Sequence, residues 1–235
     1  MATVILLRHA RSSANGAGVL AGRTPRVGLD ETGLKQADGL IGRLAGIPLA
    51  AAVASPLQRC RQTVAPLVGA RELPLRTDAA LAEVDYGEWT GRELKALFKE
   101  PLWKVVQQHP SAAVFPGGEG LAQVQARAVA AVRAHDARIT AEYGPAAVWL
   151  ACSHGDVIKA VLADALGVHL DAFQRIVVDP CSLSVIRYTD TRPFVLRTND
   201  TGGNLSALIP PPPAKKGRKK AAPSSDAVVG GGTGA

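Results

Sequence analysis

Three short apolar runs, each halted by polar residues that open a helix-like stretch, constrain the fold of this chain more than any other feature. Val4-Ile5-Leu6-Leu7 stops at Arg8-His9, Ala50-Ala51-Ala52-Val53-Ala54 stops at Ser55-Pro56, and the run from Ala147 to Cys152 stops at Ser153-His154-Gly155. Apolar runs of this length without alternation suit strands buried on both faces. The intervening segments carry helical periodicity. Residues 30–45 place Leu34, Ala37, Leu40, Ile41 and Leu44 at helical spacing behind Asp30, a good N-cap. Ser55 as N-cap and Pro56 at the first helical position predict a helix running towards Val68, with Arg59 in its first turn. A long helix is expected from Leu121 to Tyr143, stopped by Gly144-Pro145, and another after His154, ending at Gly167. A loop from Leu81 to Gly91, a short helix from Arg92 and a loop at Phe115-Pro116-Gly117-Gly118-Glu119 separate these, and two late strands follow at Ser182–Tyr188 and Phe194–Thr198. Strands alternating with helices imply an α/β fold, a three-layer α/β/α sandwich with a mostly parallel central sheet.

The chain has 235 residues and is 47% hydrophobic, enough for one domain, expected over residues 1–204. Aromatics are only 4%, so Ala, Val and Leu must fill the core. No apolar run approaches the roughly 20 residues of a spanning helix, and the N-terminus lacks a signal-peptide pattern, so the expected location is the cytoplasm, away from membranes. Cys60, Cys152 and Cys181 are odd in number and widely spaced, as reduced thiols would be. The net charge is +7, of which +4 lies beyond Leu205, in a run with five Lys or Arg and one Asp between Pro210-Pro211-Pro212-Pro213 and Gly230-Gly231-Gly232. Residues 205–235 therefore read as a disordered Pro/Lys/Gly-rich tail, and nucleic acid is an unfavoured partner because little basic excess belongs to the domain.

In a parallel sheet the three apolar strands end on one edge, where ligands of open α/β folds bind. Arg8, His9, Arg59 and His154 can then converge there, beside two helix N-termini whose dipoles favour an anion. A guanidinium clamps a phosphate and an imidazole can attack it. Neither histidine has a Cys, Asp or Glu at zinc-ligand spacing, no Gly-rich loop ends in Lys-Ser/Thr, and Ser153 lacks the glycine a nucleophile elbow needs, so histidine is the candidate nucleophile.

In these residues the chain resembles the histidine phosphatase superfamily, with its phosphoglycerate mutase-like fold, over roughly residues 3–200. The pattern Arg-His-Gly-x-Ser/Thr-x-x-Asn is met by Arg8, His9, Ser12 and Asn15; Ser-x-Leu-x-Arg-x-x-x-Thr by Ser55, Leu57, Arg59 and Thr63; the acid loop by Leu81, Glu83, Gly87, Trp89 and Gly91; the late Ser-His-Gly by Ser153, His154 and Gly155. The resemblance implies that His9 attacks phosphorus, that Arg8, Arg59 and His154 hold the phosphoryl oxygens, that Asn15 adds a hydrogen bond, and that Glu83 is the general acid and then the base. Ser12, Gly22, Tyr86 and Gly155 complete the expected substrate-binding set, and no metal or organic cofactor is implied. A proton donor needs a raised pKa, expected from burial near Tyr86 or Trp89.

Two departures carry expectations. Ala10 replaces the usual glycine and is tolerated if its φ stays negative. Arg11, with Arg23, adds cations at the expected mouth and suggests a substrate with a second negative group. Glu83 is not followed by Arg, and Gly87-x-Trp89-x-Gly91 and Pro116-Gly117-Gly118-Glu119 resemble the phosphatase branch more than the mutases. The expectation is a metal-independent phosphatase of small phosphomonoesters. The alternatives are a phosphomutase using the same phosphohistidine, and a non-catalytic phospho-ligand or nucleic-acid-binding module. Relatives are often homodimers.

Overall fold

The computed structural model describes residues 1–203; the expected tail lies outside them. Six strands form one sheet: β1 (Thr3–Arg8), β2 (Leu49–Ala54), β3 (Leu75–Thr77), β4 (Val148–Ser153), β5 (Leu183–Arg187) and β6 (Phe194–Asp200), in the order β3-β2-β4-β1-β5-β6. The pairings β2·β3, β2·β4 and β1·β4 are parallel, whereas β1·β5 and β5·β6 are antiparallel. The late strands therefore extend a parallel sheet with an antiparallel flank, as mixed sheets often do.

Alternation along the strands builds the layers, because successive side chains leave a strand on opposite faces. Val4 and Leu6, with Val53, Trp149 and Ala151, join one apolar cluster with Val124, Ala128 and Val132 of α6 (Leu121–Tyr143) and Val161 of α7 (Gly155–Leu166). Ile5 and Leu7, with Ala52, Ala54, Leu150 and Cys152, join the other, with Leu40 of α2 (Glu31–Arg43) and Cys60, Val64 and Leu67 of α3 (Gln58–Arg71). Both faces are covered, giving the expected three-layer sandwich. The three cysteines are buried and free. Among the described residues no helix is long and apolar enough to cross a membrane.

Several local expectations need correction. Leu34 and Ile41 of α2 are exposed, so the buried stripe narrows to Gly33, Ala37 and Leu40. The helix expected at Ser55-Pro56 begins at Gln58, with Leu57 in the capping position, while the Ser55 hydroxyl accepts the Leu57 N–H at 3.4 Å and lies 2.8 Å from His154 Nε2; it continues past Val68 to Arg71. The short helices α1 (Ser13–Ala17) and α5 (Pro101–Gln108) and strand β3 were not anticipated; between α3 and α5 lies α4 (Leu94–Leu97), the short helix expected from Arg92.

Helix α2 presses directly on the segment after the first strand. A Cβ on Gly33 would lie 1.9 Å from the carbonyl oxygen of Arg11. Gly33→Ala is expected to cost about 2 kcal/mol or more through overpacking, lowering the melting temperature by roughly 4–8 °C. Gly39→Ala in the same helix meets nothing within 4 Å and should leave stability unchanged or raise it by up to about 1 kcal/mol. Thermal melts of the two variants check the contrast; equal melting temperatures would contradict it.

Candidate active site

The strand order places β2, β4 and β1 side by side, so their C-terminal ends deliver the site residues to one edge. Arg8 registers with Ser153 and Ala54 with Cys152. His9 N–H donates to the Ser153 carbonyl at 2.9 Å, and Ser55 N–H donates to the Cys152 carbonyl at 2.9 Å, locking the three strand ends together. The ring centroids of His9 and His154 are 5.2 Å apart.

Arg59 decides the state of both imidazoles, since a guanidinium can only donate. Its Nε donates to His9 Nε2 at 3.2 Å, so that nitrogen carries a lone pair and the proton sits on Nδ1, which donates to the Ala10 carbonyl at 2.8 Å. Its Nη2 lies 3.1 Å from His154 Nδ1 and 2.8 Å from the Gly22 carbonyl, so His154 carries its proton on Nε2, 2.8 Å from Ser55 Oγ. Burial, followed by the charges of Arg59 and Arg8, pushes His9 well below its ordinary pKa; burial and Arg59 do the same for His154. Both rings are therefore neutral near pH 7, and His9 offers an unprotonated Nε2. Arg59 Nη1 is buried and makes no hydrogen bond to the described residues. A buried orphan donor beside two neutral imidazoles suits a ligand acceptor. Arg8 is buried, and its Nη1 donates to the Val178 carbonyl at 2.7 Å.

Glu83 closes the site from the loop after β3. Its Oε2 lies 3.7 Å from His154 Nδ1 and 3.8 Å from Arg59 Nη2. Ser153 Oγ donates to the Leu81 carbonyl at 2.8 Å, tying this loop to β4. Burial pushes the Glu83 carboxyl up to about 7, with Asp156 adding to the rise and Arg59 opposing it. The direction expected from the sequence holds. Tyr86 packs behind this loop: it is fully buried, its hydroxyl donates to Asp156 Oδ2 at 2.8 Å, and its ring packs edge-on against Phe115.

The residues expected around this core separate into two groups. Arg8, His9, Arg59, Glu83 and His154 come together. Gly22 lies beside them and contributes its carbonyl to Arg59; Gly155 is the buried first residue of α7. Ser12 is buried and forms a capping box with Asn15 at the start of α1: it receives the Asn15 N–H, and its own N–H and hydroxyl donate to Asn15 Oδ1. Its hydroxyl is thus committed to the helix, and only the NH2 end of Asn15 can donate to a phosphate. Ala10 is buried and has no positive φ, as its substitution for glycine requires. The free cations expected at the mouth are not found. Arg11 pairs with Asp30 at 3.3 Å, and Arg23 pairs with Glu119 at 2.9 Å and Asp85 at 3.7 Å, so acids from neighbouring segments neutralise both.

Sequence reasoning named Ser55 but not its contact with His154, and it missed two charged pairs. Ser55 is the acceptor that fixes the His154 tautomer. Asp156 and Lys159 form a buried charged pair, 3.8 Å apart, on the inner side of α7. Two charged residues three apart among the apolar residues of the first turns of α7 were the available signal. Glu119 and Arg127 pair at 2.8 Å across a turn of loop and helix, and nothing in their spacing announced it. Among the described residues no group of three His, Cys, Asp or Glu side chains could hold a metal ion.

The family model of the histidine phosphatase superfamily (branch 1) matches residues 4–201. Phosphoserine phosphatase 1 of Hydrogenobacter thermophilus is 30% identical over 204 residues, covering 86% of this chain and 93% of that protein. A bifunctional protein of Mycobacterium tuberculosis is 33% identical over 204 residues, 85% of this chain, which spans only 54% of that longer protein. The solved structure of YhfR from Bacillus stearothermophilus superposes with a TM-score of 0.77 at 25% identity, covering 85% of this chain and 98% of that one.

Proposed function

The chain belongs to the histidine phosphatase superfamily, branch 1, and from that premise we propose that it hydrolyses small phosphomonoesters through a phosphohistidine on His9. One observation carries the reading: His9 Nε2 is held as an unprotonated nitrogen beside the buried orphan donor Arg59 Nη1, with a carboxyl poised near pH 7 opposite.

The chemistry follows from these groups. Arg8 and Arg59 hold the non-bridging oxygens of the phosphoryl dianion, and the NH2 of Asn15 adds a hydrogen bond. His154 Nδ1 donates once it is protonated, which the dianion's charge favours. His9 Nε2 attacks phosphorus as the P–O ester bond breaks, and Glu83 gives its proton to the departing alkoxide. The Glu83 carboxylate then takes a proton from water, whose oxygen attacks phosphorus; the P–N bond breaks, inorganic phosphate leaves, and His9 is again neutral. Every proton Glu83 loses in the first step returns in the second, so the cycle closes without a cofactor. Metal-independence and a cytoplasmic setting belong to the same proposal.

The substrate is a phosphomonoester of an alcohol. The pairing of Arg11 and Arg23 with acids removes the argument for a second anionic group, so phosphoserine leads the panel on the name of the 30% identical relative alone. The test is phosphate release from phosphoserine, phosphoglycerates, sugar phosphates, nucleoside monophosphates and α-ribazole phosphate, with a chelator present. Turnover of at least one alkyl ester, unchanged by chelator, is expected. Release that requires a divalent cation, or no release from any ester, would contradict the proposal and favour a mutase or a binding module.

A further inference from the structure

The loop Pro116-Gly117-Gly118-Glu119 lies outside the reacting groups, yet its carboxylate is the hub of the acid loop. Glu119 Oε2 accepts from Arg23 Nη2 at 2.9 Å, from Arg127 Nη2 at 3.0 Å and from the Asp85 N–H at 3.0 Å; Glu119 Oε1 accepts from Arg127 Nε at 2.8 Å. Both arginines spend a remaining N–H on one atom, the main-chain carbonyl oxygen of Glu83. Arg23 Nε reaches it at 2.8 Å and Arg127 Nη2 at 3.2 Å, which uses both lone pairs of that oxygen. Arg127 Nη1 also takes the Ala80 carbonyl at 2.7 Å, and Glu119 N–H donates to the Asp85 carbonyl at 2.8 Å. Residues 80, 83 and 85 are thus pinned from one carboxylate.

The glycines make this contact possible. A Cβ on Gly118 would lie 2.2 Å from the Asp85 carbonyl oxygen, and one on Gly87 would lie 2.0 Å from the Pro116 carbonyl oxygen, so the two loops touch backbone to backbone. The Glu83 side chain has weaker guidance of its own: one hydrogen bond from the Val84 N–H at 3.0 Å, and charged neighbours at 3.7 and 3.8 Å. The placement of its carboxyl therefore depends on where its main chain is held, and a proton donor displaced by even 1 Å loses much of its effect.

We infer that Glu119 is a positioning residue for proton transfer: through Arg23 and Arg127 it fixes the main chain of Glu83 and so the reach of the general acid. Arg23, expected at the mouth as a substrate cation, is an arm of this clamp. Burial alone would raise the Glu119 carboxyl, but its hydrogen bonds from Arg127 and Asp85 hold it below the ordinary range, so the hub stays charged at the pH of catalysis.

This inference rests on the phosphatase reading, and the test separates the two. An alkyl phosphate needs a proton on its leaving oxygen, whereas p-nitrophenyl phosphate does not at neutral pH. Glu119→Gln keeps the shape and removes the charge. Its kcat/KM for the best alkyl substrate of the wild type should fall about tenfold or more, within the 10²–10⁴-fold a general acid supplies, and for p-nitrophenyl phosphate by less than about threefold. Arg127→Lys, which cannot span the same carbonyls, should repeat the pattern. In a Glu83→Gln background Glu119→Gln should add less than about twofold, since both act on one step. Equal losses on the two substrates, full additivity with Glu83→Gln, or wild-type rates in both variants would overturn the inference and leave the phosphatase reading standing. A wild type that hydrolyses neither ester overturns the reading, and the inference with it.

Discussion

Replacing His9 by alanine is expected to lower kcat on every phosphomonoester by roughly 10⁴-fold or more, the scale seen when an enzyme loses its nucleophile. The arginines proposed to hold the phosphoryl group, Arg8 and Arg59, remain, so the variant should still bind inorganic phosphate. His9 is buried but uncharged, with one hydrogen bond to the adjacent Ala10 carbonyl and one from Arg59. Its removal leaves a small gap at a strand end and takes the acceptor from the buried Arg59 Nε, a cost of about 1–3 kcal/mol. The melting temperature should therefore fall by roughly 2–12 °C with the fold retained, against the far larger loss of turnover. Steady-state assays paired with thermal melts check this. An inactive variant that has also unfolded would not support the role; a folded variant with turnover within tenfold of wild type would contradict it.

Glu83→Gln is the second large effect. With the alkyl substrate, kcat/KM should fall by about 10²–10⁴-fold, and the pH profile should change shape. The Glu83 carboxyl is raised to about 7 by burial and Asp156. Its acid form, the one that donates, dominates below that value. Wild-type kcat/KM should decline as pH rises through about 7, and the variant should lack that limb. His9 is held well below its ordinary value by burial and by Arg59 and Arg8, so neutral nucleophile persists on the acid side of pH 6.5. The substitution should move stability the other way from activity. A carboxyl raised on folding costs stability once the unfolded chain ionises, so the penalty is absent below about 4.5, grows with pH, and is complete above about 7. Removing it by Glu83→Gln should stabilise the protein by about 3 kcal/mol at pH 8 and by little at pH 4. Melting temperatures at the two values read this difference; the same shift at both would contradict the linkage.

What the sequence made legible was the part that depends on local order. Arg8, His9 and His154 stand where apolar runs end, Arg59 follows in the first turn after another, and parallel packing carries strand ends to one edge, so their convergence follows from pattern alone. Helices such as α2, α6 and α7 announced themselves by caps and periodicity. Glu83 was different: a lone acid in a loop has no spacing that marks it, and only the resemblance to a family singled it out. The least legible features join residues far apart in the chain. Arg23 meets Glu119 across 96 residues, and Tyr86 meets Asp156 across 70. A sequence shows the charge but not the partner, which is why Arg23 and Arg11 read as free cations until their acids were seen. Short elements failed for a related reason: β3 has three exposed residues and no apolar period to detect, while α5, with Pro101 opening it and Leu102, Val105 and Val106 on one side, held a signal that was passed over.

The most direct measurement is to trap the intermediate. Wild-type protein is mixed with p-nitrophenyl phosphate, denatured in alkali within the first turnovers, digested, and searched by mass spectrometry for phosphate, with phosphorus NMR to establish the type of bond. The expected result is a single acid-labile, alkali-stable phosphoryl group on the imidazole of His9, absent from His9→Ala. Phosphate on any other side chain, or turnover in which no phosphoenzyme forms at any time point, would contradict the proposed chemistry.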